Sequence, residues 1–302
     1  MEALLARLPS RAWIAVIRLR SLGDCVLTTP ALALLKAHRP DLRIRIVVEP
    51  RFAGVFEGHP DVAEVSPKVG RPVDLVLNLH GGTRSMWMTL ASGAKYRAGF
   101  GHHRYSWVYS HKIPRAQEIL GEERPVHTAE HLASAMFWLG VPPGEIPRAR
   151  LTAEKRPAYL PYVVLHPFAS STAKTWPHER FLAVAGQLQS AGLEPMILAG
   201  PADDASLFSQ FQVFRNAPLA EVKNLMSGAT LFIGNDSGPA HIAAAFGVPQ
   251  VVLFGPSNPV TWAPWRTEAR VLTSRGSIGQ IGVEEVMAAA DDLRSASIRT
   301  QA

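Results

Sequence analysis

Cysteine is nearly absent from this 302-residue chain, with Cys25 standing alone. One thiol excludes an intrachain disulfide framework and any multi-cysteine zinc site within one chain. Long apolar runs are missing as well. None approaches the roughly 18 to 20 residues that cross a bilayer. The opening MEALLARLPSRAW is too short, and at Glu2 too acidic, for a secretory signal. A soluble, cytoplasmic protein is expected. Charged residues are modest at 19% against 47% hydrophobic, a globular balance that excludes a disordered or fibrous chain. The basic residues are scattered, with no RNA-binding signature, which argues against nucleic acid. The formal charge of +6 still suits a polyanion or an anionic membrane surface, although many Arg-rich proteins have no such partner.

What is present is an alternation of strands and helices that occurs twice. In the first half AWIAVIRL, RIRIVVE and VDLVLNLH read as strands, and CVLTTPALALLKAH and TAEHLASAMFWLG as helices. The segment Val141 to Pro161 is rich in proline and charge and reads as a linker. Beyond it YVVLHP, PMILAG, TLFIGN and QVVLFG alternate with ERFLAVAGQLQSAG, LAEVKNLMSG and GPAHIAAAFG, and GVEEVMAAADDLRS closes the chain as a helix. The expected fold class is α/β, with two doubly wound parallel sheets, residues 1–150 and 151–302, facing a central cleft. The last helix is expected to reach back to the first domain. In such sheets ligands sit beyond the carboxyl ends of the strands.

Five loops at those ends carry unusual residues: SLGD (Ser21 to Asp24), ASSTAKTWP, GPADD, NDSGP and GPSNP. In NDSGP, Asp236 or Ser237 caps a helix, Gly238 admits close backbone approach, and Pro239 suits a first turn. Free amides and the helix dipole then make an anion site; the plainer alternative is a well-capped helix. Asp24 fits a general base or a cap for a helix starting near Cys25. Lys174 fits a phosphate ligand or a solvated surface lysine. Asp203 and Asp204 fit ribose ligands or loop caps. His241 alone fits a satisfied core histidine, and Cys25 a small buried side chain rather than a nucleophile. The stretch His127 to His131, HTAEH, matches a zinc-protease pattern, H-x-x-E-H, but only three of its five positions are specified. It reads as an ordinary helix start.

NDSGPAHIAAAFGVPQVVLFGPSNP, IRLRSLGDCVLTTPAL and HPFASSTAKTWPHERF together resemble the motifs of glycosyltransferase family nine, the ADP-heptose lipopolysaccharide heptosyltransferases, in order and spacing over nearly the whole chain. The resemblance implies a GT-B fold, an acceptor on the first domain, a nucleotide-sugar on the second, inversion at the anomeric centre, and neither metal nor cofactor. It implies Asp24 as the catalytic base. Lys174 corresponds to the ligand of the donor phosphates, with Thr172 and His241 as further donor contacts. Asp236, Ser237 and Gly238 correspond to the diphosphate-binding helix start. For the acceptor it points to Ser21, Gly23, His80, Gly81 and Arg84, in a region that also holds Lys95, Arg97 and Arg104. The implied partners are an ADP-sugar, an anionic glycolipid of the lipopolysaccharide core, and the inner face of the cytoplasmic membrane.

The chain departs from the family between ARVLTS and GVEEVMAAA. There Arg275 to Ile281 replaces a longer loop that often carries cysteines. Two rival classes have distinct signatures. A nicotinamide dehydrogenase would carry G-x-G-x-x-G after the first strand, where RLRSLGD stands instead. A non-catalytic nucleotide-sugar-binding protein would keep DSG and lose the base.

Overall fold

The computed structural model describes residues 3–154 and 160–301. The chain forms two compact units that divide after Thr152. Residues 155–159 of the expected linker, and Met1 and Glu2, lie outside the described residues.

The first unit contains β1 (Trp13–Ile17), α1 (Leu22–His38), β2 (Arg43–Val47), β3 (Glu64–Ser66), β4 (Leu75–Asn78), α2 (Thr83–Ala91), β5 (Tyr96–Phe100), β6 (His111–Ile113), α3 (Ala116–Leu120) and α4 (Thr128–Leu139). Its sheet runs β3-β2-β1-β4-β5-β6, and every pairing is parallel. β1 and β4 are almost wholly buried, so their sequences WIAVI and LVLN are continuous apolar runs rather than alternating ones. Arg45 is an exception inside β2. It is 4% exposed, donates to the Val69 carbonyl at 2.7 Å, pairs with Glu64 at 2.8 Å and lies over the Trp13 ring.

The second unit repeats the plan with β7 (Tyr162–His166), α5 (His178–Ser190), β8 (Glu194–Ala199), β9 (Gln212–Arg215), α6 (Leu219–Ser227), β10 (Leu231–Asn235), α7 (Gly238–Phe246), β11 (Gln250–Phe254), α8 (Pro259–Trp262), β12 (Ala269–Thr273) and α9 (Val283–Gln301). Its order is β12-β11-β10-β7-β8-β9, again all parallel. Counted within each unit, both sheets have the strand order of a Rossmann fold, 3-2-1-4-5-6. α9 packs on α5, β11 and β12 of its own unit. Val286, Ala290 and Leu293 of α9 join the core built on Trp176, Phe181 and Phe208.

Such sheets place their binding sites where the strand order reverses. The switch points here lie between β1 and β4 in the first unit, and between β7 and β10 in the second.

Candidate active site

At the first switch point the chain leaves β1 through Arg18, Leu19, Arg20 and Ser21 before entering α1. The helix begins at Leu22, three residues earlier than the sequence suggested, because Ser21 and Asp24 close a capping box. One carboxylate oxygen of Asp24 accepts from both the Ser21 backbone N–H (3.0 Å) and the Ser21 hydroxyl (2.9 Å). The other oxygen is paired with the Arg18 guanidinium. Arg18 also donates to the Leu79 carbonyl, which ties the end of β1 to the loop after β4. Asp24 is thus both a helix cap and a carboxylate held in one orientation. Its side chain stays 17% exposed, facing a cavity of about 490 Å³ lined by Arg18, Arg20, Ser21, Arg51, Phe52 and His80. A carboxylate has about four lone-pair directions, so these bonds leave it able to accept another proton or hydrogen bond.

His80 and Gly81 are set by Asn78 at the end of β4, whose side-chain oxygen accepts both of their N–H groups at 3.0 Å. Gly81 has φ +75°, and the His103 imidazole packs where its Cβ would be, 2.7 Å away. Only glycine satisfies both conditions. Burial, reinforced by Arg18 and Arg20, lowers the His80 pKa and so favours the neutral imidazole in the cavity. Behind it, burial brings His103 and His131 down to about 4. Gly23 is buried in the first turn of α1. Arg84 is 59% exposed on α2 and pairs with Glu49 at 3.6 Å rather than lining the cavity.

At the second switch point three motifs meet. The loop after β7 forms a 3₁₀ turn, Thr172–Lys174, with Thr172 exposed at its start. The Lys174 ammonium pairs with Asp236 at 3.0 Å, so the lysine is partnered rather than free on the surface. Asn235, fully buried at the end of β10, anchors the lysine loop. It accepts from the Trp176 N–H (3.0 Å) and donates to the Pro167 carbonyl (2.8 Å). From the other side Gly255, after β11, presses on the loop so closely that a Cβ there would lie 2.4 Å from the Ala173 carbonyl oxygen.

α7 starts at Gly238 with Ser237 as N-cap and Pro239 in the first turn. The Ser237 side chain makes no capping bond, and its hydroxyl is buried without a partner. Pro239 has no N–H and the Ala240 N–H donates to the Ser237 carbonyl at 3.2 Å, so the Gly238 N–H and the Ser237 hydroxyl are what this helix start offers an external acceptor. His241, one turn in, is 4% exposed and meets the Trp262 ring edge-on. Asp203 and Asp204 lie on the neighbouring loop after β8. They accept from the N–H groups of Gly200 (2.7 Å) and Ser206 (3.0 Å). Both therefore act as loop caps, and the Ser206 hydroxyl adds a second bond to Asp204.

In HTAEH, His127 caps α4 by accepting from the Ala129 N–H at 3.1 Å. Glu130 pairs with Arg124 at 2.8 Å and accepts from the His127 N–H at 2.7 Å, and His131 stacks on Phe100. Cys25 is buried, and burial pushes its thiol up to about 12, which keeps it protonated. In the shortened loop Ser277 caps a 3₁₀ turn, Ile278–Gln280, and Ile278 and Ile281 join the core of the second unit.

Two Rossmann-like domains in one chain, each a parallel sheet with polar machinery at its switch point, are the architecture of the GT-B fold, and similarity identifies the class as a glycosyltransferase. The family model described as glycosyltransferase family 9 (heptosyltransferase) matches residues 68–280, and the chain belongs to that family. Lipopolysaccharide heptosyltransferase 3 of Escherichia coli is 27% identical over 288 residues, covering 80% of this chain and 83% of that protein. Lipopolysaccharide heptosyltransferase 1 of Pseudomonas aeruginosa is 25% identical over 289 residues, covering 82% and 79%. Among solved structures, the family 9 glycosyl transferase of Veillonella parvula has a TM-score of 0.84 at 23% identity, covering 94% of this chain and 97% of that one. The ADP-heptose lps heptosyltransferase II of E. coli has 0.80 at 21%, covering 96% and 99%.

Proposed function

We propose that this enzyme transfers heptose from ADP-heptose to the inner core of lipopolysaccharide, with inversion and without a metal ion in the chemical step. The observation that carries the proposal is the pairing of chemistries at the two switch points. One presents an oriented carboxylate in a cationic cavity, the other a lysine beside an uncapped helix start.

The first domain holds the acceptor, whose anionic groups suit Arg20 and Arg51. Asp24 takes the proton of the attacking hydroxyl as its oxygen bonds to the anomeric carbon. The bond from that carbon to the diphosphate oxygen breaks on the opposite face, and ADP departs with the electron pair. The sugar passes through an oxocarbenium-like state while negative charge grows on the diphosphate. The Gly238 N–H at the start of α7, the Ser237 hydroxyl and Lys174 stabilise that charge. Arg18 acts through Asp24, holding its carboxylate toward the cavity. Thr172 and His241 complete the donor surroundings, and Asp203 and Asp204 serve the ribose. The acceptor is a glycolipid, so the enzyme works at the inner face of the cytoplasmic membrane as a peripheral protein. Among the described residues no helix is long and apolar enough to cross a bilayer.

Thermal unfolding with a panel of nucleotide-sugars tests the donor assignment. A saturating ligand at about 100 times its Kd adds about 2.7 kcal/mol of stability. ADP-heptose is expected to raise Tm and UDP-sugars to leave it unchanged. Equal protection by both would overturn the assignment.

A further inference from the structure

Among the described residues the large hydrophobic side chains left exposed are Trp87, Leu90, Trp107, Leu160, Leu207 and Val260. The last three are scattered over separate elements of the second unit. The first three belong together. Trp87 (60% exposed) and Leu90 lie on α2, on one stripe with Thr83 at i, i+4 and i+7 spacing, while Ser85, Met86 and Thr89 are buried on the other side. Trp107 (64% exposed) lies in a 3₁₀ turn, Ser106–Val108, that packs against α2. Met86, Val108 and Tyr109 form a small core between the two elements, and the Thr83 hydroxyl donates to the Tyr105 hydroxyl at 3.1 Å. Each exposed tryptophan is therefore the chain neighbour of a residue locked into that shared core, so the aromatic surface is fixed in place.

The charge along this part of the chain is one-sided, although Glu49 reaches it from another loop to pair with Arg84. From Leu75 to Gln117 the chain has no acidic residue and six cations, Arg84, Lys95, Arg97, Arg104, Lys112 and Arg115, as many as the formal charge of the whole protein. Arg84, Lys95 and Arg104 are exposed, the first on the tryptophan-bearing helix and the last beside Tyr105. A soluble protein rarely leaves two tryptophans exposed together without a use. Tryptophan settles at the boundary between headgroups and acyl chains, and arginine and lysine beside it meet anionic headgroups. A protein partner would also accept the aromatics, but exposed cations carried on a stretch of chain without an acidic residue are matched best by an anionic surface.

We propose that the face formed by α2 and the Trp107 turn docks the enzyme on a bilayer containing anionic phospholipid. The choice of partner rests on the membrane-bound acceptor proposed above. Through Arg84 and its ion pair with Glu49, the face also adjoins the loop carrying Arg51 and Phe52, which line the Asp24 cavity. Docking there would bring a lipid-anchored acceptor to that cavity.

The test is flotation of the full-length protein with phosphatidylcholine vesicles, with and without phosphatidylglycerol, while tryptophan emission is followed. The wild type is expected to float with the anionic vesicles in a salt-sensitive manner and to shift its emission to the blue. Trp87→Ser/Trp107→Ser should weaken that binding about tenfold or more. Lys95→Gln/Arg104→Gln should weaken it by a similar factor and flatten its salt dependence. Both residues of the tryptophan variant are exposed, so its Tm should match the wild type, as should its transfer to a delipidated, soluble acceptor. Failure of the wild type to float, or equal flotation of the tryptophan variant, would overturn the proposal. So would a wild-type dimer in solution that the tryptophan variant dissolves, because a second copy would then cover the face. A protein that transfers sugar to the soluble acceptor but ignores vesicles loses this surface and keeps the function proposed above. One that floats but transfers nothing does the reverse.

Discussion

Replacing Gly255 by alanine isolates the positioning of Lys174 from its charge. An alanine methyl would lie 2.4 Å from the Ala173 carbonyl oxygen and 3.3 Å from the Lys174 Cα. Atoms of this size rest about 1 Å farther apart, so something must move. The obstacle is backbone, and the loop is anchored at Pro167 and Trp176 by the buried Asn235, so it can retreat only by straining those bonds. Overpacking of this kind costs about 1 to 3 kcal/mol, or about 4 to 8 °C in Tm for 2 kcal/mol in a unit of this size. If Lys174 meets the leaving diphosphate as proposed, a displacement near 1 Å lowers turnover on the order of 100-fold. Gly186→Ala in α5 is the control. Nothing lies within 4 Å of its added methyl, and it should be neutral or stabilising by about 0.5 to 1 kcal/mol. Steady-state transfer and calorimetric binding of ADP-heptose would be compared in the three proteins. Wild-type turnover and Tm in Gly255→Ala would refute the reasoning, since the lysine loop would then be free to move without consequence.

Asp24→Asn should leave ADP-heptose affinity nearly intact and lower turnover on the order of 100-fold or more; unchanged turnover would remove Asp24 as the base. Lys174→Ala should weaken donor binding and transfer together by about tenfold or more, because it leaves Asp236, 8% exposed, without its cation beside the phosphates. Equal calorimetric affinities would return Lys174 to a structural role. His103 and His131, whose pKa values burial lowers from 6.5 to about 4, contribute to the pH dependence of stability alongside the other buried histidines, His80 and His166 among them. Between those values the unfolded chain binds protons that the folded chain refuses. Their contribution to stability is therefore full above pH 6.5 and is lost as pH falls toward 4. Tm should decline over that window, and His103→Gln/His131→Gln should flatten the decline; an unchanged slope would exclude these two residues.

The strands that carry the sites were legible because they are buried on both faces. AWIAVIRL, VDLVLNLH, YVVLHP and TLFIGN appear as β1, β4, β7 and β10. Short edge strands were not: β3, β6 and β9 have three or four residues, partly exposed, and lack an apolar run. YRAGF of β5 was hidden by Arg97 and Gly99. α2 went unread because TRSMWMTLA exposes Trp87 and Leu90, which blurs its apolar period. Chain order could not show that Arg18 would pair with Asp24, or that Asn235 and Gly255 would clamp the lysine loop from two sides. A weak signal for Arg18 existed, since a cation at the end of a strand, six residues before a candidate base, lies within reach of it. Nor could it show the pairing of Glu49 with Arg84, because it joins the loop after β2 to helix α2, far apart in the chain.

Inverting, metal-free heptosyl transfer is read directly by incubating the enzyme, freed of metal and kept in excess chelator, with ADP-heptose and a delipidated lipopolysaccharide-core acceptor. Mass spectrometry and the anomeric proton coupling of the product are then read. The proposed transfer gives an acceptor heavier by one heptose, ADP released in equal amount, and an anomeric configuration opposite to that of the donor. Retention of configuration, or activity that vanishes under chelation and returns with magnesium or zinc, would contradict it.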